Sequence, residues 1–202
     1  MTGIPVTNPA TGEVIATIPE LGAEEVTRMV AAAREAQPTW AAIGFDGRAE
    51  VLLAARDWMA QNAERVVTTI VGETGRPADE TQFAELAYGL SALEFWPKMA
   101  PHYLGDEEIV SASPFLRGRR LVVRYEPLGV IGVIGPWNYP LNNSFGDCIP
   151  ALAAGNAVIL KPSEITPLTS LLMADMLSEC GLPEGVFQVA TGRGATGAAL
   201  VD

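Results

Sequence analysis

Basic residues, histidine and cysteine are all scarce in this sequence. Thirteen Lys and Arg stand against 24 Asp and Glu, a formal charge of −11 with the single His neutral. Such an excess repels phosphate backbones and anionic lipid surfaces, which argues against a general nucleic-acid binder and a charge-driven membrane binder. The one histidine, His102, has no second His or neighbouring Cys in sequence to complete a metal set or a catalytic dyad, so a surface histidine is expected and no metal. The two thiols, Cys148 and Cys180, form no C-x-x-C pair, a usage that suits a reducing compartment. Each stands beside a carboxylate, Asp147 and Glu179, which opposes thiolate formation and favours a packing role. The N-terminus has no basic start followed by an apolar run, and no apolar stretch approaches the roughly 20 residues of a bilayer span. A soluble cytoplasmic protein is the expectation.

What is abundant is apolar surface. With 49% hydrophobic and 18% charged residues over 202 positions, the chain is too hydrophobic for disorder. A chain of this length buries about 70% of its extended surface as one domain or two small ones. Ile4 to Thr7 and Glu13 to Ile18 alternate around Asn8-Pro9-Ala10-Thr11-Gly12, a hairpin signature. Helical spacing follows in Val26, Met29, Val30 and Ala33, then over a longer stretch from Val51 to Ile70. A third helix starts at Pro77 with Asp79 and Glu80 and carries Phe83, Leu86, Leu90 and Leu93 until Pro97 ends or kinks it. A half-exposed strand at Leu121 to Tyr125 pairs with Glu108 to Ser111 across a loop holding Pro114 and Gly118.

Beyond Pro127 the pattern changes to continuous apolar runs, Val130 to Ile134, Ala157 to Leu160 and Val186 to Ala190, as buried parallel strands require. Between the last two, Thr166 as N-cap, Pro167 at the first helical position and Gly181 past the end delimit a crossover helix. Three segments therefore leave the same carboxyl edge, where open α/β sheets bind ligands: Gly135-Pro136-Trp137-Asn138, Lys161-Pro162-Ser163-Glu164 and Gly192-Arg193-Gly194.

Gly192-x-Gly194-x-x-Gly197 has dinucleotide-fingerprint spacing, but it follows the third strand and lacks the acidic residue about 20 positions on. A glycine-rich strand-to-helix turn beside a ligand is the plainer reading. The Asn138 carboxamide carries N–H donors and no titratable proton, which suits an oxyanion, although Asn between Pro136 and Pro140 is also ordinary turn chemistry. Lys161 as donor and Glu164 as acceptor suit the hydroxyls of a ribose, with a solvated pair at a strand end as the alternative.

The segments Glu126-Pro127-Leu128-Gly129-Val130-Ile131-Gly132-Val133-Ile134-Gly135-Pro136-Trp137-Asn138-Tyr139-Pro140 and Pro150-Ala151-Leu152-Ala153-Ala154-Gly155-Asn156-Ala157-Val158-Ile159-Leu160-Lys161-Pro162-Ser163-Glu164 resemble the NAD(P)-dependent aldehyde dehydrogenase family. The likeness extends to Asn8-Pro9-Ala10-Thr11-Gly12-Glu13, Glu73-Thr74-Gly75-Arg76-Pro77 and Gly181-Leu182-Pro183-Glu184-Gly185-Val186. It implies an α/β fold, an incomplete Rossmann-like parallel sheet with N-terminal helices and a protruding β-hairpin. It implies that Asn138 is the oxyanion-hole side chain, that Lys161 and Glu164 bind the adenosine ribose, and that Ile134, Pro136 and Trp137 line the cofactor cleft. Gly192 and Gly194 would approach the adenine end. The cofactor would be NAD, with NADP possible, and Glu164 tilts the choice by repelling a 2′-phosphate.

The same resemblance divides the chain into residues 1–105, strands and helices of the cofactor-binding domain; 106–126, a hairpin resembling the oligomerisation element of a homo-oligomer; and 127–202, the first half of the nucleotide-binding sheet. In the family a later cysteine attacks the aldehyde and a later glutamate activates water. Neither Cys148 nor Cys180 matches that motif, so the expectation is an N-terminal portion of an aldehyde-oxidising enzyme, inactive alone, with the aldehyde as the complete enzyme's small-molecule partner. A naturally short nucleotide- or partner-binding module is the competing description.

Overall fold

The computed structural model describes residues 3–202, an α/β arrangement of helices on a parallel sheet with two antiparallel ribbons. Strands β1 (Gly3–Thr7) and β2 (Val14–Pro19) form the expected hairpin, with Ile4 opposite Ile18. Its turn is closed by Asn8, whose Oδ1 accepts the amides of Ala10 at 2.8 Å and Thr11 at 3.3 Å. Ile4, Val6 and Ile18 are buried against Leu168 and Leu171.

The helices run further, and break elsewhere, than local signals indicate. Helix α1 (Ala23–Ala42) passes through Pro38 and buries Val26, Ala33 and Trp40. The stretch from Val51 to Ile70 is divided between α2 (Gly44–Gln61) and α3 (Ala63–Thr74). Asn62 separates them, its side chain turning back to donate to the Trp58 carbonyl at 2.8 Å. After α4 (Ala78–Thr81), a π turn over Gln82–Leu86 leads into α5 (Ala87–Leu104). The wider turn shifts the helical phase. Phe83, expected on the core face, is 85% exposed, while Glu85 is fully buried. Nor does Pro97 end the helix; α5 continues through Pro97 and Pro101, with Leu93, Pro97 and Ala100 buried along it. Packing of that face outweighs a proline cost of about 3 kcal/mol.

A ribbon of β3 (Glu107–Ile109) and β4 (Leu121–Val123) pairs antiparallel as expected. Exposed ion pairs flank it, Arg124 to Asp106 at 2.7 Å and Arg120 to Glu108 at 2.5 Å. Val110 and Phe115 at its loop are more than 90% exposed.

The sheet that carries the site contains β5 (Val130–Ile134), β6 (Ala157–Lys161) and β7 (Phe187–Val189), parallel in the order β5-β6-β7. Helices α6 (Gly146–Ala153) and α7 (Leu168–Glu179) make the two crossovers, and α8 (Gly194–Val201) follows β7. Alternate residues of β6 serve two cores. Val158 and Leu160 join α2, α5, α6 and α7, whereas Ala157 and Ile159 join Ala33 of α1 and Ala190. Strand β6 is buried throughout, as its apolar run requires, while β5 is only partly covered at the sheet margin. No described helix is long and apolar enough to cross a membrane.

Candidate functional site

Parallel pairing aligns the strand ends that matter. Ile134 stands in register with Lys161, the Gly135 amide donates to the Lys161 carbonyl at 2.9 Å, and the Ala190 amide donates to Leu160 at 2.8 Å. The chain leaves β5 through Gly135, where any side chain would collide with Ser144; a Cβ there would stand 1.9 Å from its Oγ. At this edge Ile134, Lys161, Gly194, Gly197 and Ala198 border an open cleft of about 470 Å³.

Lys161 is 5% exposed, and its Nζ lies 3.5 Å from Oε2 of Glu164. Lys161 thus borders an apolar floor formed by Ile134 and the glycine face of α8, with the Glu164 carboxylate beside its ammonium. Among the described residues, nothing beyond its own stretch of helix lies within 4 Å of where a Cβ on Gly194 would be, and a Cβ on Gly197 would enter the cleft 3.7 Å from Cδ of Lys161. The donor, the adjacent acceptor and the glycine-lined floor fit a ribose with an attached base. Gly192 is different. Its φ is +155° and a Cβ would sit 1.9 Å from Oγ1 of Thr196, so the turn itself demands glycine. Thr196 in turn donates to the Leu21 carbonyl at 2.6 Å.

Pro136, Trp137 and Asn138 lie exposed on the turn that leaves β5, at the same sheet edge. That turn is held from beneath. Thr166, expected to cap α7, instead donates its hydroxyl to the Trp137 carbonyl at 3.1 Å. The capping function passes to Glu73, whose carboxylate accepts the amides of Leu168 at 2.6 Å and Thr169 at 3.0 Å and the Thr169 hydroxyl. Burial pushes Glu73 up to about 7, against the opposing pull of the Thr169 and Leu168 donors. Burial likewise raises Glu85, which accepts the Leu141 amide at 2.8 Å.

Glu73, Arg76 and Glu85 had no assigned role in the sequence, yet one signal was available. Glu73 continues the stripe of Val66 and Ile70 along α3, and a carboxylate on an apolar stripe must find donors inside the protein. Gly75 is left-handed with φ +68°, and its Cβ would press on Pro9 at 2.8 Å, so the Asn8–Glu13 and Glu73–Pro77 motifs meet there.

The two cysteines are as expected. Cys148 is fully buried, with its thiol 3.3 Å from the Ser144 carbonyl, and burial followed by the Asp147 charge pushes it well above the usual thiol range. Cys180 follows the last residue of α7, at the sheet edge opposite the cleft, with its pKa raised by burial and by Glu179. His102 lies exposed near the end of α5.

A model of the aldehyde dehydrogenase family matches residues 1–202. The fold is shared with solved structures. An aldehyde dehydrogenase from Brucella melitensis biovar abortus 2308 superposes with a TM-score of 0.93 at 34% identity, over 100% of this chain and 41% of that one. A succinate-semialdehyde dehydrogenase from Burkholderia pseudomallei gives 0.92 at 32% identity, over 98% and 40%. PnpE, in complex with nicotinamide adenine dinucleotide, gives 0.91 at 33% identity, over 98% and 40%. The chain belongs to the aldehyde dehydrogenase family, an oxidoreductase family, and spans about two fifths of the length of these solved relatives.

Proposed function

We propose that this chain is the nicotinamide-dinucleotide-binding part of an enzyme that oxidises an aldehyde to a carboxylic acid. The observation that carries the reading is the buried Lys161 held 3.5 Å from Glu164 at the rim of the glycine-floored cleft. Lys161 donates to one ribose hydroxyl and Glu164 accepts from its neighbour; Ile134, Gly194 and Gly197 give the base an apolar surface. Pro136 and Trp137 bound the cofactor on the side of β5, and Gly192 shapes the turn at the adenine end. Glu164 disfavours a 2′-phosphate by charge, which makes NAD the preferred cofactor over NADP.

A bound dinucleotide supplies the two-electron acceptor. Asn138 supplies an N–H donor to the oxygen of the reacting aldehyde, stabilising charge there without giving up a proton. Neither Cys148, sealed in the core, nor Cys180, at the opposite edge, serves as the nucleophile, so this polypeptide by itself leaves aldehydes unoxidised. The exposed loop of the β3–β4 ribbon, with Val110 and Phe115, offers an apolar surface for assembly with further copies.

Calorimetric titration with NAD tests the ribose assignment. Glu164→Ala and Lys161→Ala are each expected to weaken binding roughly tenfold or more, the scale of a hydrogen bond to a charged group. NAD affinity unchanged in both variants would reject it.

A further inference from the structure

The pentapeptide Glu73-Thr74-Gly75-Arg76-Pro77 connects α3 to α4, and its arginine reaches the turn that presents Asn138. Arg76 Nη2 donates to the Asn138 carbonyl at 2.5 Å, and the guanidinium carbon lies 3.8 Å from the centre of the Tyr139 ring. Its Nη1 stands 3.7 Å from Oε1 of Glu85, and its Nε 3.7 Å from Oε1 of Glu80. Glu85 is fully buried, and its other oxygen accepts the Leu141 amide at 2.8 Å. The backbone on both sides of Asn138 is thereby gripped, Trp137 by Thr166, Asn138 and Tyr139 by Arg76, and Leu141 by Glu85.

We propose that Arg76, braced by Glu85, is a positioning residue that sets the direction in which Asn138 presents its carboxamide. It rests on the reading of Asn138 as an oxyanion donor, since a donor is useful only when its direction is fixed before charge develops. Two features single out arginine. A planar fork stacks on Tyr139 and directs one nitrogen at the Asn138 carbonyl while another faces Glu85. A lysine supplies the charge opposite Glu85 but not the stack and the fork together. Among the described residues, Nη1 of Arg76 and Oε1 of Glu85 find no hydrogen-bond partner, so at 3.7 Å each is the other's counter-charge rather than a bonded mate.

Nuclear magnetic resonance on the 202-residue chain tests this, with the Asn138 carboxamide signals assigned by their loss in Asn138→Ala. In Arg76→Met the Asn138 side-chain signals are expected to move toward their unfolded positions. Exchange of the Leu141 amide is expected to quicken roughly tenfold or more, while amides of Ile159 and Leu160 in β6 stay as protected as before. Arg76→Lys is expected to show the same changes at Asn138 while melting close to the parent, and it carries the test if Arg76→Met does not fold. Full retention of the Asn138 signals in Arg76→Lys would overturn the proposal, because Arg76 would then be only a counter-charge for Glu85. These signals report the geometry of the turn, not turnover. A failure of Asn138 as an oxyanion donor would show instead as undiminished turnover when Asn138 is replaced in an active enzyme, whatever the spectra of the Arg76 variants show.

Discussion

Replacing Glu73 by Gln is expected to remove a pH dependence from the stability of the chain. Burial raises this carboxyl from its ordinary value of 4.5 to about 7, opposed by the donors of Thr169 and Leu168 and assisted by repulsion from Glu85. The native state then holds the proton more tightly than the unfolded chain does. Stability from this group is accordingly complete below 4.5 and is lost as pH rises through about 7. At about 1.36 kcal/mol per pH unit, the whole interval corresponds to about 3 kcal/mol. The acidic composition brings the chain toward neutrality at the bottom of that range, where solubility falls. Urea unfolding followed by circular dichroism therefore starts at pH 5.5, from which about 2 kcal/mol remains to be lost by pH 8. Glu85 is raised in the same direction and is present in both proteins, so the difference between parent and Glu73→Gln reads the Glu73 contribution together with its coupling to Glu85. That difference is expected to fall by about 2 kcal/mol in favour of the variant across the range. A difference constant from pH 5.5 to 8 would refute the reasoning, because it would mean that the donors at the start of α7 keep Glu73 charged throughout.

The glycines of the third strand end should separate cleanly. Gly192→Ala meets Thr196 at 1.9 Å with φ at +155° and is expected to cost on the order of 2 kcal/mol or more, read as a lowered thermal midpoint. Among the described residues, Gly194→Ala meets nothing beyond its own stretch of helix within 4 Å and is expected to leave the midpoint within a few degrees while weakening NAD binding; equal destabilisation by both would refute the distinction. With a thiol reagent at pH 8, the native chain is expected to react first at Cys180, at a rate held down by its raised pKa, and only on unfolding at Cys148, so that Cys180→Ser abolishes the faster phase. A faster phase that survives in that variant would place Cys148 within reach of solvent.

Local chemistry made most of the elements legible and left their joints obscure. The Asn8 turn, the apolar runs of β5, β6 and β7 and the glycine after α7 announce themselves within a few residues. Asn138, Lys161 and Glu164 were legible as candidates because parallel strands deliver them to one edge, and the structure brings Lys161, Glu164, Ile134 and Gly194 together there. What local chemistry hid was decided by partners far along the chain. Thr166 looks like an N-cap, but Glu73, 95 residues before Leu168, already satisfies those amides, which frees Thr166 to hold Trp137. Pro97 reads as an end or a kink, and the core beneath α5 rules out the end by holding the helix through it. The π turn that exchanges Phe83 for Glu85 leaves no mark in a hydrophobic period, because it changes that period midway.

The most direct test of the assignment is to map bound AMP and NAD onto the chain by amide chemical shifts. A second cavity, of about 460 Å³ between Arg48 and the foot of the β3–β4 ribbon, provides the contrast. The expected result is that AMP shifts Ile134, Lys161, Glu164, Gly194 and Gly197, that NAD shifts the same residues and also Trp137 and Asn138, and that Arg48 and Tyr125 stay still. Shifts centred on Arg48 and Tyr125, with the Lys161 and Glu164 edge unmoved by either nucleotide, would contradict it.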